Sequence, residues 1–494
     1  MTRELSPYNE VAYPGFAYPY THPDRLATMA ILHGLSPAPV EHCRMLEVAC
    51  GDGSNLIPMA YAIPGSEFVG FDLAGQPIER GLARIRELGL ANVRIFEGNL
   101  LDVSEDLGRF DYIVAHGFYS WVPEPMRDRL LSVCRELLTP HGVAFVSYNA
   151  LPGGYVRKMA REMMLLKSEG IEDPGEKLSA GIGLLRSVFE ARAQDDPFRR
   201  VLEDHIQTME SRSPEAVFHD EFSEFNEPVL FSGFVEHARR HGLQYLSEAV
   251  LPPPPDPCYR ADLQPAIEDA AGSDIVAQEQ LLDFMRMRKY RETLLCHGER
   301  EVRRDFSAGV FRKLLFSSQT VSTPSEDGTS RVFTLPGGIR METAHAGTIA
   351  FMEELASAWP CPSSWDEMGA GVAQGFPVDQ SGTALLMRLA ISKMIELHAW
   401  RAPAAAEISA QPRASRSALN EARNRSYVTA LLHTTVRLDD PVVRSFLLLL
   451  DGSRDRAALL DALRAEYPDL PPNQLAQGIE PNLRMFHRAG LLEG

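Results

Sequence analysis

Residues Met45-Leu46-Glu47-Val48-Ala49-Cys50-Gly51-Asp52-Gly53-Ser54-Asn55 run from an apolar strand into a glycine-bearing turn, and helical spacing follows. Glycine has no Cβ, so a strand ending on small residues lets the backbone approach a ligand closely. The next helix N-terminus offers unpaired N–H groups. This pattern marks the ligand-binding end of an open α/β sheet. A P-loop would need lysine followed by Ser or Thr after its second glycine, and none is present. The dinucleotide fingerprint needs a third glycine where this chain has Leu56. Phe68-Val69-Gly70-Phe71-Asp72 reads as the second strand. Asp72 lies 19 residues beyond Gly53, which suits a carboxylate accepting both ribose hydroxyls.

Strands and helices alternate at short intervals from this point. Strand 44–50 leads to helix 54–62, strand 67–72 to helix 76–88, and strand 93–97 to a loop. Strand 110–116 leads to helix 124–138, and strand 143–148 closes the series. Such alternation predicts a parallel, doubly wound sheet. Phe231–His241 then reads as a helix, 242–249 as a sixth strand, and 293–297 as an antiparallel seventh.

LEVACGDGSNLIPMA followed by FVGFDLAGQ resembles the glycine motif and second-strand acid of class I S-adenosylmethionine-dependent methyltransferases. The resemblance implies that cofactor-in-product form is S-adenosylhomocysteine. It assigns cofactor contacts to Glu47, Ala49, Cys50, Gly51, Asp52, Gly53, Asn55, Asp72, Leu73, Asn99, Leu100 and His116. The usual motif has glycine where this chain has Ala49, and alanine fits there only with a negative φ.

The chain has 494 residues, room for about three domains. Its formal net charge of −18 argues against a nucleic-acid partner, which needs a positive footprint. The six cysteines are scattered without a C-x-x-C pair, so neither a metal site nor a disulfide framework is indicated. No run of about 18 apolar residues is present, so no membrane insertion is expected. The first residues lack the apolar core of a signal peptide, and a cytoplasmic protein is expected.

Aromatic residues Tyr8, Tyr13, Phe16, Tyr18 and Tyr20 alternate with prolines near the N-terminus, which rules out a regular helix. The stretch reads either as a tail clamped on the core or as a lid over a pocket. Thr21-His22-Pro23-Asp24 then opens a helix, with Thr21 or Asp24 as the expected cap. His116 ends the fourth strand, Tyr119 and Trp121 follow, and Tyr148-Asn149 ends the fifth. Their convergence on one rim would suit a methyl-acceptor amine: rings favour a forming ammonium, and His116 or a water could take a proton. These five residues are therefore the catalytic candidates. Residues 153–212 read as helices, with Ser213-Pro214 ending the series.

His219-Asp220-Glu221-Phe222 through Asn226-Glu227-Pro228, with HGLQYLSEA and YRETLLCH, is similar to the methyltransferase regulatory domain. YNEVAYPGFAYPYTHPDRL, AHGFYSWVP and SYNALPGGY are similar to bacterial protein lysine methyltransferases, some of which modify outer-membrane proteins. The resemblance implies N-methylation of lysine on a protein substrate. It adds Tyr13, Tyr18, His22, His219 and Asn226 to Tyr119, Trp121 and Asn149 as acceptor-binding candidates.

The expected fold is α/β: a doubly wound, mostly parallel seven-stranded sheet with helical insertions, a mixed α+β middle domain and a winged-helix-like C-terminal domain. The methyltransferase domain would span 1–300, with a lid at 1–35 and insertions at 151–230 and 252–290. The middle domain would span 301–400, with a helix over 383–400; a linker would follow at 401–435 and the winged-helix-like domain at 436–494. Acidic residues offset the arginines of that last domain, so protein docking or homodimerisation is expected of it rather than DNA reading. Two other readings stay open: a small-molecule methyltransferase, and a non-catalytic cofactor-binding module.

Overall fold

The computed structural model describes residues 14–251, 263–369, 372, 375, 376 and 380–494. Tyr13, and the prolines at 252–255, lie outside them. The N-terminal strap leads into helix α1 (Pro23–Leu32), and the sheet starts with β1 (Arg44–Val48). Then come α2 (Leu56–Ala62), β2 (Glu67–Asp72), α3 (Gly75–Leu88), β3 (Val93–Glu97), β4 (Phe110–Ala115), α4 (Glu124–Leu137) and β5 (Leu138–Asn149). A helical insertion follows: α5 (Gly154–Lys167), α6 (Pro174–Glu190), α7 (Pro197–Glu210) and α8 (Pro214–Phe222). The chain returns through α9 (Phe231–Arg240), β6 (Leu243–Glu248), α10 (Leu263–Ala271), α11 (Ile275–Arg286) and β7 (Tyr290–His297).

The seven strands form one sheet in the order β3-β2-β1-β4-β5-β7-β6. Strands β1 to β5 pair in parallel, and β7 runs antiparallel between β5 and β6. The order reverses between β1 and β4, and ligands of open α/β sheets bind at that switch point. One face packs on α1 and α2 through Met45, Phe68, Val114 and Phe145. The other packs on α4 and α9 through Leu46, Ile113, Val146 and Phe234. The β6–β7 edge is anchored by Arg291, whose buried guanidinium meets Glu248 and Asp283 at 2.8 Å and Glu279 at 2.9 Å.

The middle domain holds two three-stranded sheets and the helices α12 (Ala308–Phe311), α13 (Ala346–Ala358) and α14 (Gln380–Ile391). Its strands are β8 (Leu315–Ser317), β9 (Val321–Pro324), β10 (Arg331–Thr334), β11 (Arg340–Thr343), β12 (Ser363–Ser364) and β13 (Glu396–His398). Phe316, Phe351 and Leu355 continue the apolar cluster of the main sheet, so the two domains share one core. The C-terminal domain has its own core around Leu447, Leu459, Leu483 and Phe486. It comprises α15 (Arg416–Ala422), the hairpin β14 (Tyr427–Thr429) and β15 (Thr435–Arg437), and α16 (Pro441–Leu448), α17 (Arg456–Glu466) and α18 (Pro472–Arg488). Among the described residues, no helix is long and apolar enough to cross a membrane.

Four local expectations are corrected. The cap of α1 is His22, whose Nδ1 accepts the Asp24 N–H at 3.1 Å. Asp24 instead accepts the Ala399 and Trp400 N–H groups and meets His398 at 2.8 Å. Ser213-Pro214 opens a helix rather than closing the series, because Ser213 caps α8 and proline suits its first turn. The helix expected to reach Trp400 stops at Ile391, where Lys393 (φ 60) closes a Schellman turn with Met394 N–H on the Leu389 carbonyl. The stretch 401–435, expected as a linker, contains α15, β14 and the hairpin turn.

Candidate active site

The glycine turn leaves β1 with three alternate left-handed positions: Ala49 (φ 57), Gly51 (φ 56) and Gly53 (φ 69). The expectation of a negative φ at Ala49 is thus overturned; the turn demands the left-handed region there, and alanine occupies it with strain. A Cβ on Gly51 would meet nothing within 4 Å, so the turn presents bare backbone to open space. Asp72 closes the turn from β2: one carboxylate oxygen accepts Gly51 N–H at 2.9 Å and the other Ala74 N–H at 2.8 Å. Burial raises its pKa against those bonds. Cys50 is buried, packed toward Gly70, and burial pushes its thiol well up, so it is a packing residue of the turn.

Glu47 points from β1 beneath the turn. Its Oε1 accepts Asn55 Nδ2–H at 2.7 Å, while Oε2 is buried without a partner. Burial raises its pKa to about 8, helped by the charges of Asp52 and Asp72. Asp52 faces the other way, onto Arg425 of the C-terminal domain at 2.8 Å. Against burial, that cation and the Ser54 bonds hold its carboxyl below the usual range. After β3, Asn99 accepts Leu101 N–H at 3.0 Å as the cap of a short turn. Leu100 is buried in the core shared with α4, and Leu73 is half-buried beside Asp72.

His116 directly follows β4 on the α1 face. Tyr18 of the strap packs against it with tilted rings and centroids 4.0 Å apart, and Tyr20, Phe145 and Tyr290 follow at 5.6, 6.0 and 6.5 Å. Ser147 Oγ accepts Gly117 N–H at 2.8 Å and Tyr290 O–H at 2.7 Å, so its own proton is directed to His116 Nδ1 at 3.1 Å. Burial lowers the His116 pKa to about 4. The ring is therefore neutral near pH 7 and carries its proton on Nε2. In this tautomer Nε2–H is a hydrogen-bond donor, and the lowered pKa makes the ring a weak base.

Glu292 pairs with Ser147 across β5–β7, and Tyr290 lies two residues before it. Cross-strand partners and alternate residues share a face, so Glu292 belongs to the His116 side of the sheet. Burial, reinforced by Glu248, raises its pKa to about 7.

A second cluster lies at the end of β5. Asn149 Nδ2–H donates to Asn226 Oδ1 at 2.9 Å, and Arg157 reaches Asn149 Oδ1 at 3.3 Å. Arg157 also pairs with Asp220 and Glu221 at 3.2 and 2.9 Å and lies 5.9 Å from the Trp121 ring. His219 is buried on α8 beside Phe218.

The structure thus brings His116, Tyr18, Asn149, Trp121 and Asn226 to the ends of β4 and β5. Two catalytic candidates turn elsewhere. Tyr148 is buried against Phe234 with its hydroxyl on Thr293 Oγ1 at 3.0 Å. Tyr119 meets His237 Nδ1 at 2.8 Å on the α9 side. The two-residue alternation of β5 carries Tyr148 with Ala144 and Val146 to that face, and leaves Ser147 and Asn149 on the site face. His22 packs between Trp400 and His433 at the domain junction. Sequence reasoning passed over Ser147, Tyr290 and Glu292, which that alternation could have found. It also passed over Arg425 and His433, for which no local signal exists.

Comparison with known proteins agrees with this geometry. A methyltransferase-domain family matches residues 46–144, a "predicted methyltransferase regulatory domain" matches 213–297, and the "PKMT, C-terminal winged helix domain" matches 410–469. One uncharacterized protein of Rickettsia prowazekii is 33% identical over 62% of this chain, and the match spans 56% of that relative's length. A second from the same organism is 36% identical over 50% of this chain and 98% of its own length. A solved structure, PKMT2 from Rickettsia typhi in complex with AdoHcy, has 26% identity and a TM-score of 0.87, covering 98% of this chain and 100% of that one. This chain belongs to the family of class I S-adenosylmethionine-dependent methyltransferases that carry a regulatory domain and a C-terminal winged helix. S-adenosylmethionine is its cofactor. The residues present fit it: bare backbone at Gly51, a carboxylate at Asp72 set beside that backbone at the end of the second strand, and at Glu47 a buried carboxyl oxygen suited to the cofactor's ammonium.

Proposed function

We propose that the protein transfers methyl groups from S-adenosylmethionine to the ε-amino nitrogen of lysine side chains on a protein substrate. The observation that carries this reading is the extent of the likeness to PKMT2. It runs over 98% of the chain and so includes the insertion, middle and C-terminal domains that would face a macromolecular acceptor. The aromatic surroundings of His116 support it, since ring faces favour the cationic product amine.

Bound S-adenosylmethionine supplies a methyl group already activated as a sulfonium, so the protein's task is alignment and exclusion of water. Alignment of this kind contributes on the order of 7–11 kcal/mol. The free lysine pKa is about 10.4, and an apolar, aromatic pocket lowers it. Tyr18, Tyr20 and Phe145 supply such walls around His116. Neutral His116 orients a group through Nε2–H, and Glu292 is a carboxyl on that face able to hold the departing proton.

The test is incubation of the protein with isotopically labelled S-adenosylmethionine and a cell-envelope protein extract, followed by peptide mass spectrometry. Label on lysine is expected. Label confined to small molecules would reject the lysine reading and leave the methyltransferase assignment intact.

A further inference from the structure

We infer that His433 and Arg425, both from the C-terminal domain, are positioning residues of the cofactor site, so that this domain completes the glycine turn in cis. The inference rests on the cofactor assignment alone, not on the identity of the acceptor.

Asn55, at the start of α2, is the junction. Its Nδ2 donates to Glu47 Oε1 at 2.7 Å and to Thr21 Oγ1 at 3.0 Å. Its Oδ1 accepts the Tyr18 backbone N–H at 3.0 Å and His433 Nε2–H at 2.9 Å. Glu47, the strap and the C-terminal hairpin therefore meet on one amide. His433 sits in the tight turn between β14 and β15 with φ 57, in the left-handed region that few non-glycine residues adopt. Burial lowers its pKa well below the usual value, so it stays neutral and keeps the proton that Asn55 receives.

Arg425 makes the second contact, on the far side of the same turn. It donates to Asp52 Oδ2 at 2.8 Å, to Ser54 Oγ at 3.0 Å and to the Gly15 carbonyl at 3.5 Å. Gly15 is pressed onto the turn so closely that a Cβ there would collide with Ser54 and Asp52. Phe16 then packs on Tyr427, with centroids 5.0 Å apart. Other anchors of the domain lie away from the turn. Arg84 of α3 pairs with Glu421 at 2.7 Å, and Tyr61 of α2 meets Glu493.

A turn with left-handed residues at 49, 51 and 53 is costly to hold, and contacts that hold it raise cofactor affinity by lowering the ordering cost of binding. The arrangement therefore couples docking of the C-terminal domain to the cofactor, and such coupling is reciprocal.

The test is calorimetric titration of S-adenosylhomocysteine into full-length wild type, Arg425→Ala, His433→Ala, His433→Gln and Arg84→Ala. We expect at least a tenfold rise in Kd for Arg425→Ala and His433→Ala, partial rescue by His433→Gln, and less than a threefold change for Arg84→Ala. KM for S-adenosylmethionine should follow Kd, with kcat at saturating cofactor moving far less. An equal loss in Arg84→Ala would reduce the effect to domain docking and overturn the inference, as would unchanged Kd in the two turn-side variants. Should those variants fail to fold, hydrogen exchange on wild type decides. Saturating S-adenosylhomocysteine must slow exchange at Ala430 and Leu431 in the hairpin; unchanged rates overturn the inference. Absence of binding by wild type would instead refute the cofactor assignment.

Discussion

The carboxyl of Glu47 receives Asn55 Nδ2–H at 2.7 Å on one oxygen and nothing on the other, although the residue is 4% exposed. An ionised carboxylate in that position is costly unless a cation joins it. Glu47→Gln separates the two consequences. The folded pKa is raised to about 8, above the unfolded value, so the stability tied to the protonated form is present at acid pH and is lost as pH rises through 8. The variant should therefore gain on wild type as pH rises from about 5, by on the order of 5 kcal/mol at and above pH 8, and lie near parity at and below pH 5. The same change should weaken S-adenosylhomocysteine binding at least tenfold. Urea melts at both pH values and calorimetry check this; a variant that binds as well as wild type would remove Glu47 from the site.

Ala49 holds φ 57 at an exposed position of the glycine turn. Left-handed backbone costs a non-glycine residue roughly 1–2 kcal/mol, offset in part by the greater freedom of glycine in the unfolded chain. Ala49→Gly should stabilise the protein by about 0.5–1 kcal/mol, read as a higher urea midpoint with an unchanged m-value. A lower midpoint would mean that the alanine methyl makes a contact outweighing the strain.

How much of this was legible in the sequence depends on the range of each interaction. Strands β1 to β4 lie within a residue or two of their expected positions, because each is a run rich in apolar residues bounded by turn residues, alternating only at the edge strand β3. Asp72 was legible because its partner, Gly51, sits in the same local unit. The Schellman turn at Lys393 was not, since it lacks the glycine that normally marks one. His22 outcompeted Asp24 as a cap because Asp24 is drawn to the 398–400 backbone, a tertiary partner invisible to local pattern. Arg425 and His433 reach the glycine turn from more than 370 positions away in the chain, where a lone arginine and a lone histidine carry no distinguishing signal. Tyr148 lies at a strand end, which groups it with the rim until the alternation of β5 decides its face.

Arg291 is fully buried among three carboxylates and 3.8 Å from the Phe231 ring. Removing one partner of a buried ion cluster leaves the others uncompensated and costs roughly 3–5 kcal/mol. Arg291→Met should lose that much at pH 8, or fail to fold at ambient temperature. The loss should be smaller at pH 5.5, where the stranded Glu248 and Asp283 can take up protons. Denaturant melts at the two pH values are the measurement, and a pH-independent loss would contradict the account.

Glu292 offers the most direct reading of the acceptor side. Its carboxyl shares a sheet face with Ser147, and through Ser147 with His116 and Tyr290. Burial and the neighbouring Glu248 raise its pKa to about 7, with Arg288 opposing. The folded value exceeds the unfolded one, so its protonated form stabilises the fold below about pH 4.5, and this is lost as pH rises through 7. Glu292→Gln should accordingly gain stability relative to wild type above pH 7. Catalysis should move the other way. If the ionised carboxyl holds the proton leaving a lysine ammonium, wild-type kcat rises with pH through about 7. In Glu292→Gln that limb should flatten, and kcat at pH 8 should fall by about 10²-fold, within the usual range for loss of a general base. His116→Asn should leave the limb in place, because His116 is already neutral there, its pKa lying near 4. A profile in which His116→Asn abolishes the limb and Glu292→Gln preserves it would return the proton to the imidazole.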